Sequence, residues 1–320
     1  MDVVTFGETM ALFQPLGEKN LAHAPLLTRG VAGAESNLAI ALARLGKKAR
    51  WISRLGHDPF GDIVLGAVAG EGVDTSLVAR DDAAPTGVFF RQIHPHFGAQ
   101  VFYFRAGSAA SKMSAADVSE TWFAGAWHLH VSGITPALSD ACREATLAAM
   151  NMARSLGLTI SFDPNLRRKL WSEKAARETL LAMLPLCDVF LPGHDEAEFL
   201  LGPGAPQELS GELLDCGPRL VAMKLGERGA LSAAKRGAMT VEFIEAPPFA
   251  VEKVVDPIGA GDAFAAGFLA AWLDEMPLEK CLSRANLLGA MATQFQGDWE
   301  GLPTLAEVEL IEAGRGGVAR

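Results

Sequence analysis

Cysteine is scarce in this 320-residue chain: Cys142, Cys187, Cys216 and Cys281 lie far apart, and no two form a C-x-x-C pair. That spacing excludes a cysteine-based zinc site, argues against a disulfide framework and fits reduced thiols in a cytosolic protein. The start, Met1 to Glu8, lacks a basic n-region, and no apolar run is long enough to cross a bilayer, so the expected location is the cytoplasm. Low-complexity tracts and internal repeats are also missing. The net charge of −10 excludes a nucleic-acid or anionic-membrane partner as the first reading, but says nothing against a small anionic substrate. Two nucleotide motifs are missing as well: there is no G-x-x-x-x-G-K-[ST], and no G-x-G-x-x-G stands between a strand and a helix.

What is present is a chain of 49% hydrophobic and 21% charged residues, enough for one sizeable α/β domain over 1–320. Val3–Phe6 reads as a short buried strand. Gly30 to Asn37 then turns into a helix that Gly46 stops. Arg50–Leu55 reads as the next strand, followed by the turn Gly56-His57-Asp58-Pro59-Phe60-Gly61 and a helix to Gly70. Repeated strand–turn–helix units predict a doubly wound, mostly parallel sheet flanked by helices. The alternation resumes from Trp127 to Gly133 and continues past Lys224. Between Thr86 and Arg105 the rhythm changes to two Val/Phe/Tyr-rich runs across a Pro/Gly connector, His94 to Gly98, which reads as an inserted β-hairpin.

The chemistry concentrates in Val254-Val255-Asp256-Pro257-Ile258-Gly259-Ala260-Gly261-Asp262-Ala263-Phe264. Val254 and Val255 read as a strand end, and the run after Gly261 as a buried helix through Leu273. A glycine-rich turn at a helix N-terminus offers unpaired amides and the positive dipole end to a phosphate. Asp262 beside it has two readings that local physics leaves open: a general base for an attacking hydroxyl, or an ordinary cap of the helix. Tyr103 and Arg105, two apart in a strand, share one face and would seat a hydroxylated carboxylate; the competing reading is a solvated edge arginine beside a half-buried tyrosine. His128 and His130 also share a face, but no third ligand stands near them, and packed histidines are expected rather than zinc.

The stretch from Asp256 to Phe264 resembles the D-x-x-G-A-G-D-x-F signature of the ribokinase-like (PfkB) carbohydrate kinases. The run G-A-E-S-N-x-A-x-x-L-A-x-L-G from Gly33 resembles their N-terminal signature, with Ala32 where many members have a second glycine. The resemblance spans nearly the whole chain. It implies ATP and magnesium as cofactors, Asp262 as the catalytic base, the Gly259, Ala260 and Gly261 amides as the anion hole, and a small β-sheet lid from about 10–30 and 86–106 that often doubles as a dimer surface. Phe102 to Ser111 is similar to the F-Y-Y-R-x-G-S-A-x-S of 2-keto-3-deoxygluconate kinases, with Phe104 for the second tyrosine. Asp163 to Trp171 is similar to their D-x-N-x-R-x-x-L-W, and Gly297 to Gly301 to a G-D-x-E-G. The substrate contacts so implied are Gly33, Asn37, Phe89, Tyr103, Arg105, Arg167 and Asp298, with Asp163 and Asn165 near the phosphoryl path and Arg168 and Lys169 as a solvated basic turn. On the nucleotide side the resemblance implies Lys224, Gly226, Gly229 and Asn286. Gly193 replaces the asparagine of the family's N-x-x-E, leaving Glu196 to meet magnesium through water. Asp256 and the Ile258 carbonyl match a monovalent-cation loop, which makes potassium a further candidate. The implied reaction is phosphorylation of the primary hydroxyl of a sugar acid; the rivals are another sugar kinase, such as a fructokinase or ribokinase, and a silent sugar-binding regulator.

Overall fold

The computed structural model describes residues 1–17, 20–94, 98–237 and 240–314. Its frame is an eight-stranded sheet in the order Val241–Ala246, Ala230–Lys235, Leu220–Lys224, Val189–Phe190, Thr159–Asp163, His128–Ser132, Val3–Phe6, Ala49–Ile52. The six strands from Leu220–Lys224 to Ala49–Ile52 run parallel, and the two on the other edge are antiparallel. The parallel strands are buried on both faces: Val3–Phe6 and His128–Ser132 show no alternation of burial, although His128–Ser132 alternates polar and apolar residues. One apolar layer gathers Leu38, Trp51, Phe264, Phe268 and Leu288 on one face of the sheet; the other gathers Phe6, Met150, Phe162, Leu180 and Leu213.

The strand order reverses at Val3–Phe6, which pairs with Ala49–Ile52 on one side and His128–Ser132 on the other. In open α/β sheets ligands bind in the crevice outside the strand carboxyl ends at such a switch point. Glu8, Gly133 and Asn165 follow three of those ends.

A separate four-stranded sheet orders Leu27–Ala32, Met10–Pro15, Val88–His94 and Gly98–Phe104. The expected hairpin is there, with residues 95–97 of its connector outside the described residues. Its register pairs Phe89 with Tyr103 and Arg91 with Val101, so these four share the face turned to the strand ends, while Phe90, Phe102 and Phe104 take the outer face. A slip of one residue would exchange the two sets.

Two expectations need correction. Val254 and Val255 form no strand: they lie in a loop, 55% and 45% exposed, and the amides of Val255 and Asp256 both donate to the Thr293 carbonyl. Pro247 and Pro248 end the edge strand Val241–Ala246 before this run, and a two-residue apolar stretch has no free ladder to join. Arg50–Leu55 is two strands, broken at Ser53, whose hydroxyl donates to the Gly7 carbonyl at 2.7 Å. The histidines are packed as expected. His128 meets Thr159 and Ser161 at 2.8 and 2.7 Å, His130 meets Ser161 at 2.8 Å, and burial pushes both imidazoles down to about 3. No helix among the described residues is long and apolar enough to cross a membrane.

Candidate active site

The helix Ala260–Leu273 is apolar all round and buried from Ala263 to Ala271, so its N-terminus is held in place by the core. Gly259 caps it in the left-handed region at φ +81°, and a β-carbon there would sit 2.1 Å from the Asp298 carbonyl oxygen, so only glycine fits. The amides of the first turn have no partner inside the helix. Asp262 stands in that first turn, but its hydrogen bonds go elsewhere. Its Oδ2 accepts from Asn37 Nδ2 at 2.8 Å and its Oδ1 from Asn165 Nδ2 at 3.2 Å. Its carboxylate is thus held by side chains of two other elements. Burial pushes it up to about 7; Asn37 and the Arg167 charge pull the other way, and the negative charges of Asp163 and Asp298 add to the rise.

On one side of this N-terminus lies a cavity of about 90 Å³ lined by Asn37, Phe89, Tyr103, Arg105, Arg167 and Asp298, among others. Gly33 lines it too; a β-carbon there would come within 2.4 Å of the Glu8 carbonyl, so the backbones pass close. Tyr103 stacks on Phe89, ring centroids 5.6 Å apart, and the Arg105 guanidinium lies 5.5 Å from the Tyr103 ring centroid. Arg105 pairs with the buried Glu8, which also accepts from Ser108, and the Arg105 Nε is buried with no hydrogen-bond partner among the described residues. Arg167 is exposed at the rim and forms no salt bridge among the described residues. The next residue, Arg168, pairs instead with Glu173 and covers Phe199. Burial pushes Asp298 up to about 6, against the pull of Arg91.

On the other side lies a larger cavity of about 260 Å³. Its walls are Lys224, Gly226, Gly229, Val254, Phe264 and Asn286, with Pro248, Phe249 and Gly289. Asn286 donates to the Ala246 and Pro247 carbonyls at 3.3 and 2.8 Å. Between the cavities Lys224 Nζ donates to Asp163 at 2.8 Å; burial alone would lower this ammonium, but Asp163 and Glu196 outweigh it and hold it above its ordinary value. Glu196 accepts from the Leu166 and Gly193 amides at 2.8 and 2.7 Å, and burial, more than its neighbours, raises its carboxyl. Three carboxylates, Asp163, Glu196 and Asp262, thus stand around a single ammonium. No group of three or more His, Cys, Asp or Glu among the described residues could hold a metal directly. The surplus of oxygen donors suits a hard dication that arrives on phosphates and keeps its waters.

The model for the family described as pfkB family carbohydrate kinase matches residues 1–305. The chain belongs to that family. It is 41% identical over 306 residues to the 2-dehydro-3-deoxygluconokinase of Bacillus subtilis (strain 168), covering 95% of this chain and 93% of that protein. The crystal structure of a PfkB protein from Polaromonas sp. JS666 superposes with a TM-score of 0.87 at 38% identity, covering 96% of this chain and 99% of the other. The 2-dehydro-3-deoxygluconokinase structure from Thermotoga maritima gives 0.87 at 26% identity, covering 98% of each. The protein is therefore a carbohydrate kinase with the mostly parallel sheet and separate small sheet of that family.

The fold brings Gly33, Asn37, Phe89, Tyr103, Arg105, Arg167, Gly259, Asp262 and Asp298 to one cavity, and Lys224, Gly226, Gly229, Ala260, Gly261 and Asn286 to the other. Glu196 lies behind the second cavity's lysine, and Asp256 behind the turn. Of the departures from the family pattern, Phe104 faces outward and leaves the cavity untouched, whereas Ala32 lines it. Two residues escaped the sequence reading, Glu8 and Arg91. Glu8 sits two residues past a central strand, the place where acids serve ligands; Arg91 shares the alternation of Phe89 in its strand.

Proposed function

We propose that this kinase transfers the γ-phosphoryl group of ATP to the primary hydroxyl of 2-keto-3-deoxygluconate. The observation that supports the sugar acid is the cavity that joins Tyr103, Arg105 and Arg167 to Asp262: Arg105 has an unpartnered buried Nε, and Arg167 is unpaired among the described residues. Two guanidiniums with free donors match a carboxylate, which accepts bidentately. The Bacillus subtilis relative carries the name of that activity.

In this reading Asp262 is the base. A carboxyl raised to about 7 by burial accepts the proton of an attacking hydroxyl far better than a surface aspartate, and it is still largely ionised above that pH. Asn37 and Asn165 each hold one of its oxygens, and the residue lines the cavity in which the hydroxyl would sit. The amides of Gly259, Ala260 and Gly261 receive the charge that develops on the transferred group. Asp163 and Glu196 would hold magnesium through water, and magnesium supplies charge neutralisation on the phosphates. The apolar cavity around Asn286 takes the nucleotide, with Lys224 at its phosphate end. The small sheet acts as a lid that carries Phe89 and Tyr103 over the sugar. Its outer face leaves Phe102 46% and Phe104 67% exposed, which suits burial against a second copy.

One observation favours a neutral sugar instead: Glu8 already neutralises part of the Arg105 charge. ATP turnover on a panel of sugar acids and neutral hexoses separates the readings. The sugar acid is expected to give the highest kcat/KM, and a hexose or pentose in first place would replace the assignment with a fructokinase or ribokinase.

A further inference from the structure

Arg91 is the least expected charge in the molecule. It projects from the middle of the strand Val88–His94 of the small sheet and is 1% exposed. All its nitrogens are engaged: Nε and one NH2 group donate to Gln14 Oε1 at 3.2 and 3.0 Å, and the other lies 3.1 Å from Asp256 Oδ2 and 3.3 Å from Asp298 Oδ1. A buried cation is retained only where its partners offset its lost hydration. Here two buried carboxylates do so.

Those carboxylates belong to the anion turn. Asp256 Oδ1 accepts from the Ile258 amide at 3.2 Å, one residue before Gly259, and Oδ2 accepts from the Gly297 amide at 3.3 Å. Asp298 follows Gly297, and its carbonyl packs against Gly259. A single guanidinium therefore bolts the small sheet to both loops that shape the turn.

This arrangement does not suit the monovalent cation that the family pattern suggests at Asp256. Both carboxylate oxygens are already taken by donors, and the positive charge beside them is covalently part of the chain. A potassium ion would have to enter next to a guanidinium and displace donor hydrogen bonds.

We propose that Arg91 is the built-in cation of the phosphoryl-transfer site. It is a positioning residue that sets the anion turn through Asp256 and Asp298, and it makes the enzyme indifferent to potassium. The proposal rests on the Gly259–Gly261 turn being the phosphoryl site.

The test starts with the unaltered protein at constant ionic strength in potassium, sodium or tetramethylammonium chloride. The expected kcat/KM values agree within about twofold, and the unfolding midpoint without substrate shows no potassium-specific rise; the second readout needs no knowledge of the sugar. A tenfold potassium-specific activation, on the order of 1.4 kcal/mol, or a potassium-specific rise in midpoint would overturn the proposal. Arg91→Ala and Arg91→Gln supply the second arm. A folded variant is expected to lose roughly tenfold or more in kcat, to regain part of it with guanidinium ion at millimolar levels, and to acquire a stabilising response to potassium or guanidinium. Folded variants with undiminished turnover, or with losses that neither ion touches, would refute it. Should both variants fail to fold, the salt comparison on the unaltered protein still decides. A protein that turns over no sugar acid but shows no potassium-specific stabilisation would sink the substrate assignment and leave Arg91's role standing.

Discussion

The two cavities that flank the N-terminus of the helix Ala260–Leu273 are lined by different physics. The one under the small sheet is built from charges that come from distant parts of the chain, Glu8 with Arg105 and Arg91 with Asp256 and Asp298. The one beside Asn286 is walled by Val254, Phe249, Phe264 and glycines, with Lys224 as its one cation among the described lining residues. Charged, paired side chains discriminate strongly, because a substrate lacking the matching group leaves buried donors unsatisfied. Apolar walls and backbone hold a flat ring by shape and discriminate weakly. Substrate choice should therefore reside on the first side, and nucleotide binding should tolerate more change on the second.

The largest effect should come from the carboxylate of the first cavity that stands beside the glycine turn. Asp262→Asn keeps the volume but removes the proton acceptor; its single amide oxygen can accept from only one of Asn37 and Asn165, and the other amide must turn over to meet the new NH2 group. We expect kcat to fall roughly 100-fold or more with KM for both substrates within about twofold. Steady-state kinetics checks this, and near-normal turnover would remove Asp262 from the base role.

Next in size is the charged side. Arg105→Ala should lower kcat/KM for the sugar acid by roughly 10- to 150-fold, since each lost charge-assisted hydrogen bond is worth about 1.5–3 kcal/mol and Glu8 is left without its partner. Any activity on a neutral hexose, and KM for ATP, should barely move. Arg105→Lys should recover only part, because a point charge cannot reproduce the planar fork. Equal losses on acid and neutral substrates would mean that the arginine supports the small sheet rather than a carboxylate.

The same division explains what the sequence disclosed. The glycine turn at the helix N-terminus was legible because Gly259 and an acid three residues on leave a local trace. Tyr103 and Arg105 were legible because strand alternation fixes their common face. Val254 and Val255 misled, since two valines before Asp-Pro carry the local signal of a strand whether or not a partner ladder exists, and here Pro247 and Pro248 have already ended it. Glu8 and Arg91 were missed for a different reason: each has meaning only through a partner about 100 or more residues away, Glu8 through Arg105 and Ser108, Arg91 through Asp256 and Asp298. No local pattern announces a pair of that kind.

The apolar side should yield a smaller effect. Asn286→Ala removes two hydrogen bonds to the Ala246 and Pro247 carbonyls, which shape the wall of the larger cavity. Neutral bonds contribute about 0.5–1.5 kcal/mol each and the wall relaxes in part, so KM for ATP should rise roughly 3- to 10-fold. KM for the sugar acid should stay put; a matching rise there would break the separation of the two cavities.

The smallest effect is on stability and carries a definite sign. Asp262 titrates near 7 in the folded chain against an ordinary 3.8, and Asp298 near 6. Between about pH 4 and those values the folded state holds protons that the unfolded chain has released, so both groups make stability fall as pH rises. His128 and His130 act in the opposite sense: their ordinary value is 6.5 and their folded value about 3, so the unfolded chain holds the extra protons and stability grows as pH rises through that window. The two pairs largely cancel between about pH 4 and pH 6. Asp262→Asn removes one member of the first pair, so the stability of the variant relative to the wild type should climb across the range in which Asp262 ionises. The ceiling is about 1.4 kcal/mol per pH unit, or roughly 2 °C per unit for a chain of this length, and the measured slope should be lower because Asp262 keeps a partly exposed edge toward the cavity. Thermal unfolding of both proteins without ligand, from about pH 5 to about pH 8, gives the slope directly. A gap that widens to about pH 7 and then levels marks a carboxyl held protonated by burial, whereas a gap independent of pH would mean that Asp262 is ionised throughout and not poised as a base.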